Sequence, residues 1–356
     1  MIVRATGVFR AVICACLASG IATARADDCK LGRIAEMDLT ESQDSMSVPV
    51  SIEGTQSSML VDTGASITAL DPQATAALNI ITHRIYQGQF FTAGGKGFQE
   101  MAVIHSLGLG QSTASNVKTL VWPEPMFAPH GPAGTLGVDF LRNYDVDIDF
   151  ANHRLGLFSQ DHCPGKVVYW QADAVAVIPV HVTNSGQIVV PVKLDGHQLY
   201  ALLDTGSFNT TLTLEAAQNY FGLKPGSPDM VPAGEFHGVS NVPAYRHTFK
   251  TLELEGIAMA NPSVYIWEDI EKYGMASSAP ETGSRLNDSS NAEWVTDITL
   301  GYHQLRNLHM YIAFKEQKLY VTASSPAPAG AAQTGPAAGT SATPPTQPAP
   351  GTTPPH

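Results

Sequence analysis

The chain has 356 residues, of which 44% are apolar and 15% are charged, with 24 prolines and 31 glycines. This composition is typical of a globular, turn-rich, β-dominated protein with room for more than one lobe. The formal net charge of −12 argues against a nucleic-acid partner, because phosphate binding needs a cationic surface.

The N-terminus has the organisation of a secretory signal. It reads MIVRATGVFRAVICACLASGIATARADD, in which Arg4 and Arg10 lead the apolar stretch 11–22. A small-x-small pattern at 24–26 predicts Sec-type export with cleavage after Ala26, and hence a periplasmic or extracellular protein. The stretch is short for a transmembrane helix, although an uncleaved anchor is the alternative. No later segment is long and apolar enough to span a bilayer.

Cleavage would remove Cys14 and Cys16 and leave two cysteines, Cys29 and Cys163. In an exported chain this pair predicts one disulfide between the mature N-terminus and the middle of the chain; two free thiols are the alternative. The signal also holds three arginines and no acidic residue. The mature chain therefore has 17 basic and 32 acidic residues, a net charge of −15.

A seventeen-residue segment occurs twice. VPVSIEGTQSSMLVDTG at 48–64 aligns without a gap on VPVKLDGHQLYALLDTG at 190–206, with an offset of 142 and nine identical positions. A repeat of this spacing indicates two tandem units of the same fold. If the units pack about a pseudo-twofold axis, the equivalent residues Asp62 and Asp204 can meet face to face.

Each unit is predicted to begin with the same strand pair. A strand at 48–53 or 190–195 turns at Gly54 or Gly196, and the returning strand ends at the Asp-Thr-Gly triplet. The glycine of the triplet suits a backbone turn with positive φ.

A short helix follows in each unit. Asp71 offers an N-cap side chain with Pro72 at the first helical position, and Thr213 begins the second helix, which Gly222 stops. Both units then have an apolar strand that ends in tryptophan, followed by Thr-Leu-Gly at 135–137 and at 299–301.

Two segments fall outside the repeat. The polar stretch 268–295 is an inserted loop of the second unit, which either restricts substrate access or is a tolerated surface insertion. From 324 to 356 the chain is rich in proline, alanine and threonine, which predicts a disordered, partly polyproline tail.

Several catalytic signatures are missing from the sequence. The twelve histidines form no HExxH or other metal-spaced cluster, Ser207 lies outside any nucleophile-elbow context, and there is no Walker loop. We therefore expect no metal and no cofactor.

A strand ending in Asp-Thr-Gly, a short helix and a later apolar-apolar-Gly strand resemble the retropepsin and pepsin superfamily of aspartic peptidases. The resemblance covers residues 46–322, and GVDFLRNYDVDIDFANHRL is similar to bacterial retropepsin-like proteins. It implies an all-β, bilobal fold with a cleft between two barrel-like lobes. The implied division is a signal at 1–26, lobes at 27–160 and 161–323, and a tail at 324–356.

The resemblance also implies site residues. Asp62 and Asp204 would be the catalytic pair, because two carboxylates about 3 Å apart share one proton and activate a water between them. Each loop would supply supporting residues. The full support set is Thr63, Gly64, Ser66, Thr205, Gly206 and Ser207. Within it the two threonines would lock the loops across the lobes, and the Ser207 hydroxyl would favour an ionised Asp204.

Such an enzyme needs a Gly-rich hairpin that covers the bound substrate. The better candidate is 91–97, with Gly94, Gly95 and Gly97 as flexible points, and 235–240 is the second. An ordinary hairpin turn would have the same sequence.

The sequence thus predicts an exported aspartic endopeptidase that acts as a monomer with its lobes paired. Its expected role is to cleave extended polypeptides in limited processing of envelope or extracellular proteins. The alternative is a peptide-holding pseudo-protease or envelope scaffold, since residues 302–304 depart from the pattern of 138–140. A zymogen-like precursor is disfavoured, because only about twenty residues separate the predicted cleavage site from the first repeated strand.

Overall fold

The computed structural model describes residues 30–42, 45–85, 90, 92, 96–235, 242–267 and 296–324. The signal segment, Cys29, Gly94, Gly95, the loop 268–295 and the tail beyond 324 lie outside the described residues. What the sequence predicts for them, including the disulfide with Cys163, remains a prediction.

The described chain is built from β-strands and four short helices. The first half contains β1 (Arg33–Asp38), β2 (Thr40–Ser42), β3 (Ser45–Ile52), β4 (Thr55–Val61), β5 (Ala69–Leu70), α1 (Pro72–Ala77), β6 (Thr82–Arg84), β7 (Glu100–Leu109), β8 (Ser112–Val121), β9 (Gly134–Leu136), α2 (Val138–Leu141), β10 (Asp145–Asp149) and β11 (Arg154–Phe158). The second half contains β12 (Ala176–Pro179), β13 (His181–Val182), β14 (Ile188–Leu194), β15 (His197–Leu203), β16 (Thr211–Thr213), α3 (Leu214–Phe221), β17 (Val231–Glu235), β18 (Pro243–Thr248), β19 (Thr251–Leu254), β20 (Ile257–Ala260), β21 (Ser263–Trp267), β22 (Ile298–Leu300), α4 (Tyr302–Leu305), β23 (Leu308–Ala313) and β24 (Lys318–Ala323).

Each half forms its own sheet with the same central arrangement. The first has the order β2-β3-β4-β9-β5-β8-β7-β6, and an additional β3–β7 pairing curls it towards a barrel. The second has the order β17-β18-β21-β16-β22-β15-β14-β19-β20. In both, the Thr-Leu-Gly strand lies parallel to the strand that carries the triplet, β4 with β9 and β15 with β22. The predicted all-β, two-lobed fold is confirmed.

Local sequence signals account for the helices. The Asp71 side chain accepts a hydrogen bond from the Gln73 N–H, and Pro72 opens α1. The Thr213 hydroxyl accepts from the Ala216 N–H, and Gly222 ends α3 with φ of +67°. Among the described residues, no helix has the length and apolar character that crossing a membrane requires.

A third sheet joins the halves. Its order is β1-β11-β10-β23-β24-β12, so that three strands come from each half and β10 pairs with β23 at the centre. All five residues of β10 are buried, and they alternate between acidic and apolar side chains. Because strand side chains alternate between faces, one face of β10 adds to the apolar core and the other carries three carboxylates.

Two histidines pair with these carboxyl groups. In β23, the Nε2 of His309 lies 2.8 Å from Asp147 and its Nδ1 lies 3.5 Å from Asp149. The Nε2 of His162 lies 2.5 Å from Asp145. Both histidine side chains are buried, and the contacts of His309 with Asp147 and Asp149 join the two halves.

The pKa values of His309 and Asp145 are both raised in the folded protein. Burial would lower the pKa of His309, but its hydrogen bond to Asp147 and the charges of Asp147 and Asp149 outweigh that effect and raise it. Burial raises the pKa of Asp145 despite its hydrogen bond to His162. Both groups therefore hold protons in the folded protein at pH values where the unfolded chain has released them.

We expect the folded protein to be more stable at mildly acidic than at alkaline pH. A raised folded-state pKa gives stability that is complete below the unfolded pKa and is lost as pH rises through the folded value. His309→Gln should reduce the gap in melting temperature between about pH 6 and about pH 9 by roughly 2–4 °C, as about 1 kcal/mol would in a protein of this size. Calorimetry at both pH values measures this.

The matched control is His105→Gln. His105 also lies near a carboxylate, 3.5 Å from Glu53, but its side chain is 74% exposed. This variant should keep the wild-type pH dependence. An unchanged gap in His309→Gln would contradict the role given to the buried pair.

Candidate active site

The two Asp-Thr-Gly loops begin where β4 and β15 end. The Asp62 N–H donates to the Leu136 carbonyl at 3.1 Å, and the Asp204 N–H donates to the Leu300 carbonyl at 3.0 Å. Each aspartate is thereby attached to the Thr-Leu-Gly strand beside it. The repeated sequence therefore has the same local geometry in both lobes.

The two carboxyl groups come together between the lobes, and each lies against the triplet glycine of the opposite loop. Each also accepts two backbone N–H groups from its own loop. The donors are Gly64 (3.0 Å) and Ala65 (2.8 Å) to Asp62 Oδ1, and Gly206 (2.9 Å) and Ser207 (3.0 Å) to Asp204 Oδ1. Residues 142 positions apart are thus brought into direct contact, with each side chain oriented by fixed peptide groups.

Glycine is required in each triplet because the aspartate of the opposite lobe lies against it. A Cβ on Gly64 would lie 2.2 Å from the Cγ of Asp204, and a Cβ on Gly206 would lie 2.2 Å from the Cγ of Asp62. Neither glycine has positive φ, so the sequence-based explanation by turn conformation is wrong. Each glycine leaves space for the aspartate of the opposite lobe.

The two threonines cross between the lobes. The Thr63 hydroxyl donates to the Leu203 carbonyl at 2.8 Å and accepts the Thr205 N–H at 3.1 Å. The Thr205 hydroxyl donates to the Val61 carbonyl at 2.7 Å and accepts the Thr63 N–H at 3.1 Å. Both side chains are buried. These four bonds fix the separation of the loops that carry the aspartates.

The environment raises both carboxyl pKa values. Burial is the largest cause at Asp62, where the Ala65 N–H, the bond with Asp204 and the Gly64 N–H act in the opposite direction. The pKa of Asp204 is raised well above its ordinary value, first by burial and then by the charge of Asp62. Two carboxylates in contact cannot both ionise cheaply, so the pair holds one proton and titrates as a unit.

Ser207 acts through its backbone. Its N–H donates to Asp204, whereas its hydroxyl donates to the Asn209 carbonyl at 3.1 Å. The predicted hydroxyl bond to Asp204 is therefore wrong, because the hydroxyl closes a local turn. Ser66 lies in the first loop and is half-buried.

A second pair of threonines, absent from the sequence prediction, supports both loops. The Thr68 hydroxyl accepts the Gly137 N–H at 3.1 Å, and the Thr210 hydroxyl accepts the Gly301 N–H at 3.0 Å. These residues are also 142 positions apart, so extending the alignment past the triplets would have found them.

The departure at 302–304 leaves this arrangement intact. The Thr68 hydroxyl donates to Asp139 at 2.8 Å, and in the second lobe the Thr210 hydroxyl donates to the Gln304 side chain at 2.6 Å. Gln304 thus supplies from the next position along α4 the acceptor that Asp139 supplies in α2. The doubt that the sequence raised about this lobe has a structural answer.

The predicted cover is described only in part. The Thr92 N–H donates to the Lys96 carbonyl at 2.8 Å and the Phe98 N–H to the Phe90 carbonyl at 2.9 Å, which is the pattern of a hairpin. Gly97 is in this hairpin and is half-buried. Its tip, with Gly94 and Gly95, lies outside the described residues, as do residues 236–240, so a covering role remains a prediction.

The carboxyl pair lies outside the cavity that flanks α1, and no metal-binding cluster of the described residues includes it. No cluster of histidine, cysteine, aspartate and glutamate among the described residues could hold a metal ion. A cavity of about 740 Å³ lies between α1 and residues 127–133. Neither triplet lines it, so we assign it no part in the chemistry of the pair.

Two family models match the chain, one for each repeat. Residues 48–143 match the family described as "gag-polyprotein putative aspartyl protease", and residues 190–303 match "Aspartyl protease". Together they cover more than half of the chain. No curated protein matches it significantly.

Solved structures with a similar chain path include the aspartic proteinase of Irpex lacteus (14% identity, 82% of this chain and 97% of that chain, TM-score 0.46). Basic 7S globulin from soybean has 10% identity over 83% of this chain and 96% of its own, with a TM-score of 0.48. A retropepsin-like aspartic protease from Rickettsia conorii has 15% identity over 42% of this chain and 91% of its own, with a TM-score of 0.30.

We expect Thr63→Val to destabilise the protein by about 3 kcal/mol, because it leaves the Leu203 carbonyl and the Thr205 N–H buried without their partner. Thr63→Ser keeps the hydroxyl and should lose less than about 1 kcal/mol. Denaturant unfolding monitored by tryptophan fluorescence measures both.

Thr113→Val is the control, since Thr113 is exposed on β8. Its stability should stay within about 0.5 kcal/mol of wild type. Equal stability of Thr63→Val and Thr63→Ser would show that the crossed bonds do not hold the lobes.

Proposed function

The chain belongs to the retropepsin and pepsin superfamily of aspartic peptidases, and from this membership we propose that it is an exported endopeptidase with Asp62 and Asp204 as its catalytic pair. The observation that carries the proposal is the close approach of two carboxyl groups from different lobes, each lying against the triplet glycine of the other lobe. Such a pair costs folding free energy, because burial raises the pKa of both groups. A functional role in the chemistry explains why both are present.

The proposed reaction uses the pair in its singly protonated form. The ionised carboxylate takes a proton from a water between the two groups as the water oxygen bonds to the scissile carbonyl carbon. The protonated carboxyl group donates to the carbonyl oxygen and gives a gem-diol. When the gem-diol collapses, one of its hydroxyl protons passes to the ionised carboxylate and the C–N bond breaks. The leaving nitrogen takes up a proton from the protonated carboxyl group, so the pair ends with one proton, as it began.

The chain's own groups support this chemistry in two ways. The backbone N–H groups of each loop orient the carboxylates, and the crossed threonine bonds keep the two loops from separating. Since these donors are fixed before substrate binds, little reorganisation is needed during the reaction. Proton sharing gives the pair an acid and a base at the same pH.

We propose an extended polypeptide as the substrate and limited processing of envelope or extracellular proteins as the role. The predicted signal supports export, and the implied hairpin cover suits a peptide backbone. A non-catalytic peptide-binding protein is the alternative. Both aspartates and both triplets being intact favours the enzyme.

The test is hydrolysis of a denatured protein mixture by the mature chain between about pH 3 and about pH 8. Asp62→Asn and Asp204→Asn should each lower the rate by about 10³-fold or more, because each removes one member of the acid–base pair. A statine-type inhibitor should suppress the wild-type rate. Mass spectrometry of the products measures cleavage.

Asp173→Asn, which changes an exposed carboxylate, is the control and should cleave as the wild type does. Fragments that persist in both active-site variants would exclude the pair as the catalyst. A wild type that binds the inhibitor without producing fragments would favour the peptide-binding alternative.

A further inference from the structure

One contact at the carboxyl pair breaks the symmetry of the two lobes. The Nε2 of Gln187, in the turn between β13 and β14 of the second lobe, donates to the carbonyl of Gly64 at 2.6 Å. Gly64 belongs to the triplet of the first lobe. A side chain of the second lobe is thus hydrogen-bonded to the Asp-Thr-Gly loop of the first lobe.

The turn holds the Gln187 side chain in place. The Thr183 hydroxyl accepts the Gln187 N–H at 3.1 Å, and the Ser185 hydroxyl donates to the Gln187 Oε1 at 3.1 Å. The Thr183 N–H donates to the Gln187 carbonyl at 2.9 Å. With Oε1 engaged by Ser185, only the amide nitrogen faces Gly64, as a carbonyl acceptor requires.

The turn also rests on the first lobe. Gly186 has φ of +89°, and a Cβ there would lie 3.2 Å from Val138 and 3.3 Å from Arg142, both in or next to α2. A larger residue would meet backbone strain and close packing at once. The position of Gln187 is therefore set by contacts with the lobe on which it acts.

The peptide unit that Gln187 binds also donates a hydrogen bond to Asp62. The Gly64 carbonyl and the Ala65 N–H belong to one planar peptide unit, so fixing the carbonyl fixes the direction of the N–H. That N–H donates to Asp62 at 2.8 Å. Gln187 therefore acts on Asp62 through a single rigid plane.

The first lobe has a different residue at the position that matches Gln187. The offset of 142 pairs Gln187 with Ser45, which has no amide group. The corresponding N–H, that of Ser207, donates to Asp204 at 3.0 Å.

We propose that Gln187 is a positioning residue for the hydrolysis proposed above: it holds the Gly64–Ala65 peptide so that its N–H stabilises the ionised form of Asp62. The pair then differs between its two members, with Asp62 favoured as the base. The inference rests on the proposed function for its catalytic meaning and on the Gln187–Gly64 contact for its geometry.

The test compares Gln187→Met, which keeps the length without a donor, with Gln187→Glu, which donates only when protonated. Gln187→Met should lower kcat about tenfold with KM little changed, because the Gly64–Ala65 peptide is no longer held in position and Asp62 is less often correctly oriented for the reaction. Its acidic limb of activity should move to higher pH. Gln187→Glu should recover activity at acidic pH and lose it towards neutral pH.

Hydrogen–deuterium exchange provides a readout without turnover. In Gln187→Met, exchange should rise several-fold in residues 62–66 and stay unchanged in the equivalent residues 204–208. Gln198→Met is the control, because its amide also donates to carbonyls, Val192 at 2.9 Å and Leu199 at 3.2 Å, far along β15 from the triplet. It should change neither exchange nor rate.

The outcomes separate the two proposals. A wild type without activity removes the hydrolytic function, while the exchange comparison still decides the positioning role. Equal exchange in both loops, a change in KM alone, or an acid limb that does not move in an active enzyme would overturn the role of Gln187.

Discussion

Four hydrogen bonds between Thr63 and Thr205 and the opposite strands are the constraint on which the rest of the site depends. They are buried, they run in both directions between the lobes, and they lie one residue from each aspartate. Without them, the two carboxyl groups could move apart. Separation would relieve the unfavourable interaction that raises their pKa values. The crossed threonines keep the pair together against its own repulsion.

The sequence predicted the lobes, the loops and the meeting of Asp62 with Asp204, because a gapless repeat carries its geometry with it. The sequence was less informative about features of one lobe that are caused by contacts with the other lobe. The triplet glycines have ordinary φ and are small because a carboxyl group from the opposite lobe lies against them. The direction of the Ser207 hydroxyl and the reach of Gln187 likewise depend on distances that no single repeat contains.

Substitution within the repeat shows which features the fold needs. Asp139 and Gln304 differ in chemistry and in position along their helices, yet each accepts the hydroxyl of the threonine behind its loop. What is retained is an acceptor at one point in space. The joining sheet gives the complementary case: its charged pairs between β10 and β23 have no counterpart in the repeated segment and arise only where the halves touch.

The contact of each triplet glycine with the opposite aspartate makes substitutions in the two halves depend on each other. Neither triplet glycine can be replaced without affecting the other half, because a methyl group at Gly64 would displace Asp204, and one at Gly206 would displace Asp62. If a descendant exchanged one acid for a small residue, the steric barrier in the sister half would disappear with it. Loss of a carboxyl group on one side should then be followed by side-chain growth on the other.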